Sequence, residues 1–124
     1  MGELSLGTLQ QSTFGIEAAL DGVCLTLALR GSGDMEAIEP LGEYLEKASL
    51  ETRRLDIERV VFDFRELAFM NSSCFKAFVT FIERSKEAPK PVAIVFRTDP
   101  QHHWQRRSLE ALRRLAMGLV TIES

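Results

Sequence analysis

Apolar and polar residues alternate along the first part of the chain. Phe14, Ile16, Ala18 and Leu20 are separated by Gly15, Glu17 and Ala19, and Val23, Leu25, Leu27 and Leu29 by Cys24, Thr26 and Ala28. A period of two marks strands with one buried face, and Asp21-Gly22 between the runs predicts a hairpin. Gly31-Ser32-Gly33-Asp34 then breaks the alternation. Leu41, Tyr44, Leu45 and Ala48 fall on one face of a helix, with Glu43, Glu46 and Lys47 turned away. Pro40 sits near its first turn, where a missing N–H costs nothing. Residues 60–64 and 92–96 are short runs apolar on both faces, the pattern of central strands covered on both sides. Between them Phe75, Phe78, Val79 and Ile82 recur at helical spacing, and Ala88-Pro89-Lys90-Pro91 ends that helix. Trp104, Ser108, Ala111, Leu112 and Leu115 predict one face of a third helix, Gly118 its stop, and residues 119–122 a last strand. The order β-β-α-β-α-β-α-β predicts an α/β fold: a single layer of mixed sheet, an N-terminal hairpin followed by parallel right-handed crossovers, and about three main helices. One domain is expected over residues 1–124, with residues 1–12, polar and aperiodic, as a loose N-terminal tail.

Composition narrows the class. With 124 residues, 45% of them hydrophobic, the chain can bury a core without disulfides or metal. A net charge of −3 disfavours non-specific nucleic-acid binding. Two cysteines, Cys24 and Cys74, point to a reducing compartment. No apolar run approaches the roughly 18 residues of a membrane span. Residues 1–13 lack the layout of a signal peptide, so a cytoplasmic protein is expected.

The chemistry concentrates in residues 63–75, which lead from the end of a core strand through a loop into a helix start. In open α/β sheets the carboxyl ends of strands are where ligands and partners meet the protein. Asn71 or Ser72 suits the N-cap of that helix, and by themselves Ser72 and Ser73 read as caps. Ser72 or Cys74 at such a corner also raises a small hydrolase. However, Met70 and Cys74 stand where a nucleophile elbow needs small residues, and nothing places His102 or His103 beside Ser72 as a base. Cys24, Cys74, His102 and His103 form no ligand spacing, so neither a metal nor a cofactor is expected. Arg106, Arg107, Arg113 and Arg114 make the third helix basic, either as a solvated face or as a docking stripe for an acidic partner or an anionic surface.

The run from Val60 to Phe75, VVFDFRELAFMNSSCF, resembles the signature of STAS domains, in particular of bacterial anti-sigma factor antagonists. That signature is an apolar strand ending in Asp, a short loop, then Phe-Met-Asp-Ser-Ser or Thr-Gly-Leu opening a helix. Asp63 matches the strand-end acid, Phe69 and Met70 the apolar pair, Ser72 the phosphorylated serine and Ser73 the hydroxyl residue after it. Residues 31–34 fall where the family often carries Gly-Glu-Leu-Asp. Asn71 departs from the usual Asp, and Cys74 from the usual Gly. The resemblance implies helices largely on one side of the sheet and a regulatory binding module, not an enzyme. Its partner would be an anti-sigma factor that is also a serine kinase, which phosphorylates Ser72 (second choice Ser73) with ATP and magnesium and so ends the interaction. The implied partner surface is Asp34, Asp63, Phe69, Met70, Asn71, Ser72, Ser73, Cys74, Phe75 and Lys76. The alternative is a STAS subunit, never phosphorylated, of a stress-sensing or lipid-transport assembly. A phosphate at Ser72 would bring about 1.5 to 2 negative charges to the positive end of a helix. It would change the surface without unfolding the domain.

Overall fold

The computed structural model describes residues 4–124. Its strands are β1 (Leu9–Gln10), β2 (Phe14–Asp21), β3 (Cys24–Gly33), β4 (Arg59–Met70), β5 (Ala93–Arg97) and β6 (Val120–Glu123). They form one mixed sheet in the spatial order of the sequence, antiparallel from β1 to β3 and parallel from β3 to β6. The crossovers are α1 (Ile38–Arg54), α2 (Phe75–Glu87) and α3 (His103–Arg113). Each parallel strand lies beside the one before it, so right-handed crossovers put every helix on the same face. The core shows this. Leu25, Val60, Ile94 and Val120 share one register row, and Leu27, Phe62 and Phe96 the next. Both rows pack with Leu41 and Leu45 of α1, Phe78 and Phe81 of α2, and Leu109 and Leu112 of α3. Phe62 is the hub, with the rings of Phe64, Phe78, Phe81 and Phe96 centred 5.2–6.4 Å from its own.

The other face carries no helix, which corrects the expectation that the central strands are covered on both sides. Thr26, Val61, Val95 and Thr121 form one row there, and Ala28, Asp63, Arg97 and Glu123 the next. Val61 and Val95 stand outside the helical core yet are buried. Arg59, Asp63 and Arg97 flank them, and long charged side chains lay their stems over apolar neighbours.

Four further expectations are corrected. The hairpin turns at Gly22-Val23, with Asp21 paired to Cys24 and Gly22 at φ 62°. Glycine at the first central position is the type II′ arrangement, and it leaves Val23 exposed. Residues 31–33 continue β3 rather than ending it, and residues 65–70 are strand rather than loop. β3 and β4 stay paired to Gly33 and Met70 through register shifts after Ala28 and after Gly31. Gly31 has φ 87°, and a Cβ there would stand 2.1 Å from the Thr13 carbonyl oxygen, which accepts the Ser32 N–H at 2.6 Å. Only glycine fits this bulge. In α3 the buried residues are Gln105, Leu109 and Leu112, joined by Ala116 just beyond it. Of the expected face only Leu112 is among them, because the stripe starts from a polar side chain that spends its hydrogen bonds inside.

The N-terminal segment is docked, not loose, from residue 4 onward; the part of the expected tail at residues 1–3 lies outside the described residues. Leu6 is buried, β1 pairs with β2, and the Tyr44 hydroxyl donates to the Gly7 carbonyl at 2.6 Å. The Ser5 N–H and hydroxyl both donate to Glu51 Oε1 at 2.6 Å. The Arg54 guanidinium, helped by these Ser5 bonds and against the cost of burial, holds the Glu51 carboxyl down at about 2, from 4.5. A depressed folded-state pKa adds stability that is fully present above the unfolded value and fades as pH falls through the folded one. Between pH 4.5 and 2, wild type is therefore expected to lose more stability than Glu51→Gln in urea unfolding. Parallel loss in both would show that the carboxylate does not hold the segment. No helix among the described residues is long and apolar enough to cross a membrane.

Candidate functional site

The two longest strands, β3 and β4, run parallel and end side by side, with Ser32 opposite Phe69 and Gly33 opposite Met70. Each leads into a 3₁₀ turn, Met35–Ala37 after β3 and Ser72–Cys74 after β4, and from there into α1 and α2. The first turn starts at Asp34, whose carboxylate accepts from the Ser32 hydroxyl at 3.2 Å. The second starts at Asn71, whose extended backbone and side-chain oxygen make it the N-cap, accepting from the Ser73 N–H at 2.9 Å. The Asn71 N–H donates to the Gly33 carbonyl at 2.6 Å and so ties the two exits together.

This arrangement sorts the expected partner-facing residues into layers. Ser72, Phe69, Asp34 and Lys76 are exposed, Phe69 at 49%. Asn71, Ser73 and Phe75 are half-buried. Met70 and Cys74 lie in the core and support the surface from beneath. The Cys74 thiol points to the Gly33 and Asp34 carbonyls at 3.8 and 3.9 Å, and burial pushes its pKa up. A protonated, buried thiol is a poor nucleophile. Asp63 stands apart. It lies in the Ala28 row of the helix-free face, five β3 positions or about 17 Å from the Gly33 row. Burial raises its pKa, but the side-chain and backbone N–H groups of Arg65, at 2.8–3.1 Å, outweigh this and hold the carboxyl below its usual value.

Three contributors were not read from the sequence. Met35, 74% exposed, adds an apolar side chain beside the Asp34 exit. Gln105, fully buried, donates from Nε2 to the Phe64 and Leu67 carbonyls at 2.6 and 2.9 Å and accepts the Asp99 N–H at 3.1 Å. Trp104 Nε1 donates to the Ala68 carbonyl at 2.8 Å. Beyond Asp63, β4 pairs only with β3, and these two side chains satisfy carbonyls on the side that β5 has left. The one available signal was the spacing 105, 109, 112, 116, which starts on a glutamine.

A mixed six-stranded sheet with all three helices on one face is a STAS-like fold. In particular, the chain resembles an anti-sigma factor antagonist from Mycobacterium paratuberculosis, with a TM-score of 0.69 and 11% identity over 94% of this chain and 91% of that one. It also resembles the anti-sigma factor antagonist SpoIIAA in unphosphorylated form (TM-score 0.54, 13% identity, 82% of this chain and 98% of that one). The Bacillus cell fate determinant SpoIIAA in phosphorylated form aligns with a TM-score of 0.56 at 13% identity, over 88% of this chain and 91% of that one. No protein-family model and no curated protein matches the chain in sequence.

Proposed function

We propose that this protein is a regulatory binding module of the anti-sigma factor antagonist type, switched at Ser72. The observation that carries the reading is the exposed Ser72, set at the start of a helical segment beside the exposed Phe69 and on a rigid bed of Met70 and Cys74. Its neighbour Asn71 already occupies the Ser73 N–H, so a phosphate on Ser72 stays outside the cap and faces the partner. Asn71 also spares that phosphate the repulsion that an aspartate there would bring. The partner is a serine kinase and anti-sigma factor, and the added charge would end the contact through desolvation and crowding on a surface built for close packing. In this reading the protein is the kinase's substrate and works in the cytoplasm.

Peptide mapping of the protein from its own cells, with phosphatase as control, tests this. One phosphatase-sensitive phosphate on Ser72 is expected, absent in Ser72→Ala. Binding to the co-purifying kinase should persist in Ser72→Ala and fall at least about tenfold in Ser72→Asp. A protein unmodified through growth and stress would make Ser72 a cap and overturn the switch.

A further inference from the structure

The helix layer is electrically divided. Residues 34–46 hold Asp34, Glu36, Glu39, Glu43 and Glu46 and no Lys or Arg, whereas residues 102–114 hold four Arg and two His against the single acid Glu110. Glu110 is neutralised by Arg113. On α1 the exposed residues Glu39, Glu43, Glu46 and Leu50 recur at i, i+4, i+7 and i+11, opposite the buried Leu41, Leu45, Ala48 stripe, so they form one ridge pointing away from the sheet, in which Glu46 also meets Arg84 of α2 at 3.6 Å in an exposed ion pair. Leu50 is 58% exposed on that ridge. On α3 the face opposite its buried stripe is a shallow depression of about 640 Å³ lined by His103, Arg106, Arg107, Glu110, Ala111 and Arg114. Arg106, Arg107 and Arg114 make no ion pair among the described residues.

We infer that this helix layer is the interface of a two-fold homodimer, in which the acidic ridge of α1 seats in the basic depression on α3 of a second copy. α1 and α3 follow the parallel strands β3 and β5, so they run in the same direction on either side of α2. A two-fold axis along the helices therefore lays α1 of each copy parallel on α3 of the other, and the same contact is made twice. An axis across the helices would set α1 against α1 and repel. The spacings also agree. With Leu50 over the small side chain of Ala111, Glu46, four residues earlier, comes over Arg107, four before Ala111, and Glu43 over the His103–Arg106 turn. On the axis, Lys76 and Glu83 of α2 oppose their own copies, so the outer helices carry the attraction. The strand exits at Asp34 and Asn71 lie at the end of this layer, where Lys76, in the first turn of α2, belongs to both surfaces.

Sedimentation equilibrium of the purified chain over a wide concentration range is the test. Wild type is expected to dimerise, and more weakly on going from about 0.1 M to about 1 M salt, where the Debye length falls from about 10 Å to about 3 Å. Arg106→Glu with Arg107→Glu, and separately Glu43→Arg with Glu46→Arg, should each weaken the dimer at least about tenfold. An equimolar mixture of the two variants should restore a dimer, because each then offers what the other lacks. The corresponding Gln variants, checked for folding by circular dichroism, serve where a reversal fails to fold and should weaken the dimer less. A wild type that stays monomeric, a dimer indifferent to the reversals, or a mixture that does not re-form would each overturn the inference.

Discussion

Phe62→Ala is expected to cost about 3–5 kcal/mol, the range for deleting a fully buried aromatic side chain. The ring is fully buried and touches every layer of the core. It stands beside Phe64 on its own strand, meets Phe78 and Phe81 of α2 edge-on at 5.2 Å, and meets Phe96 of β5 at 5.8 Å. Removing it leaves four rings without their common neighbour. They cannot close the gap, because strand register holds Phe62 and Phe96 opposite each other and α2 spans the cavity from above. A domain's whole stability is about 5–15 kcal/mol, so about a fifth of it or more is at stake. Equilibrium urea unfolding measures the loss, with Phe62→Leu as the comparison that keeps most of the volume. A cost near that of a surface substitution would mean the cluster is not the centre of the core.

The second large effect is expected from a polar side chain. Gln105→Leu keeps the size of the residue and removes all three of its hydrogen bonds. The Phe64 and Leu67 carbonyls and the Asp99 N–H lose their partner, at about 1–3 kcal/mol for each buried group left unsatisfied. Neighbouring losses do not add fully, and about 3 kcal/mol in all is expected. The effect should also be local. The half of β4 beyond Asp63 has β3 on one side only, and Gln105 and Trp104 stand in on the other. Hydrogen exchange in Gln105→Leu should therefore rise most at residues 64–70, the stretch that presents Phe69 and leads to Ser72. Gln105→Glu should behave similarly, since a carboxylate accepts the Asp99 N–H but cannot donate to the carbonyls. Uniform exchange across the sheet would mean that Gln105 contributes only to global stability.

The elements that could be read in advance are those whose periodicity came from one buried face. The hairpin, α1 and α2 follow from residues 14–29, 41–48 and 75–82, where most apolar positions answer to a single layer of neighbours, and the parallel strands from the apolar runs 60–64 and 92–96. The failures have a different cause in each place. Gly31-Ser32-Gly33 looks like a loop because glycine is read as flexibility, whereas here Gly31 serves one fixed bulge over Thr13. Residues 65–70 look like a loop because two of their carbonyls, those of Leu67 and Ala68, are satisfied from α3, and no local pattern records a partner 36 or 38 residues away. The N-terminal segment looks loose because its anchors, Ser5 on Glu51 and Tyr44 on Gly7, pair residues 46 and 37 apart.

The same division holds for the candidate site. The motif around Ser72, its capping asparagine and its apolar flank are short-range features, and spacing within a dozen residues suffices to see them. Layering is another matter. Phe69 outside, Met70 and Cys74 inside, and Asp63 about 17 Å away follow from the pleat and from the register between β3 and β4. Met35 joins the surface only because two strands distant in sequence end side by side. The chain's own order of residues dictates which side chains prefer burial and where helices can start, since those are local free energies. Which buried position each takes, and which face is left to a partner, is settled when long-range pairing brings separate segments together, because hydrogen bonds and contacts of that reach have no counterpart in local sequence.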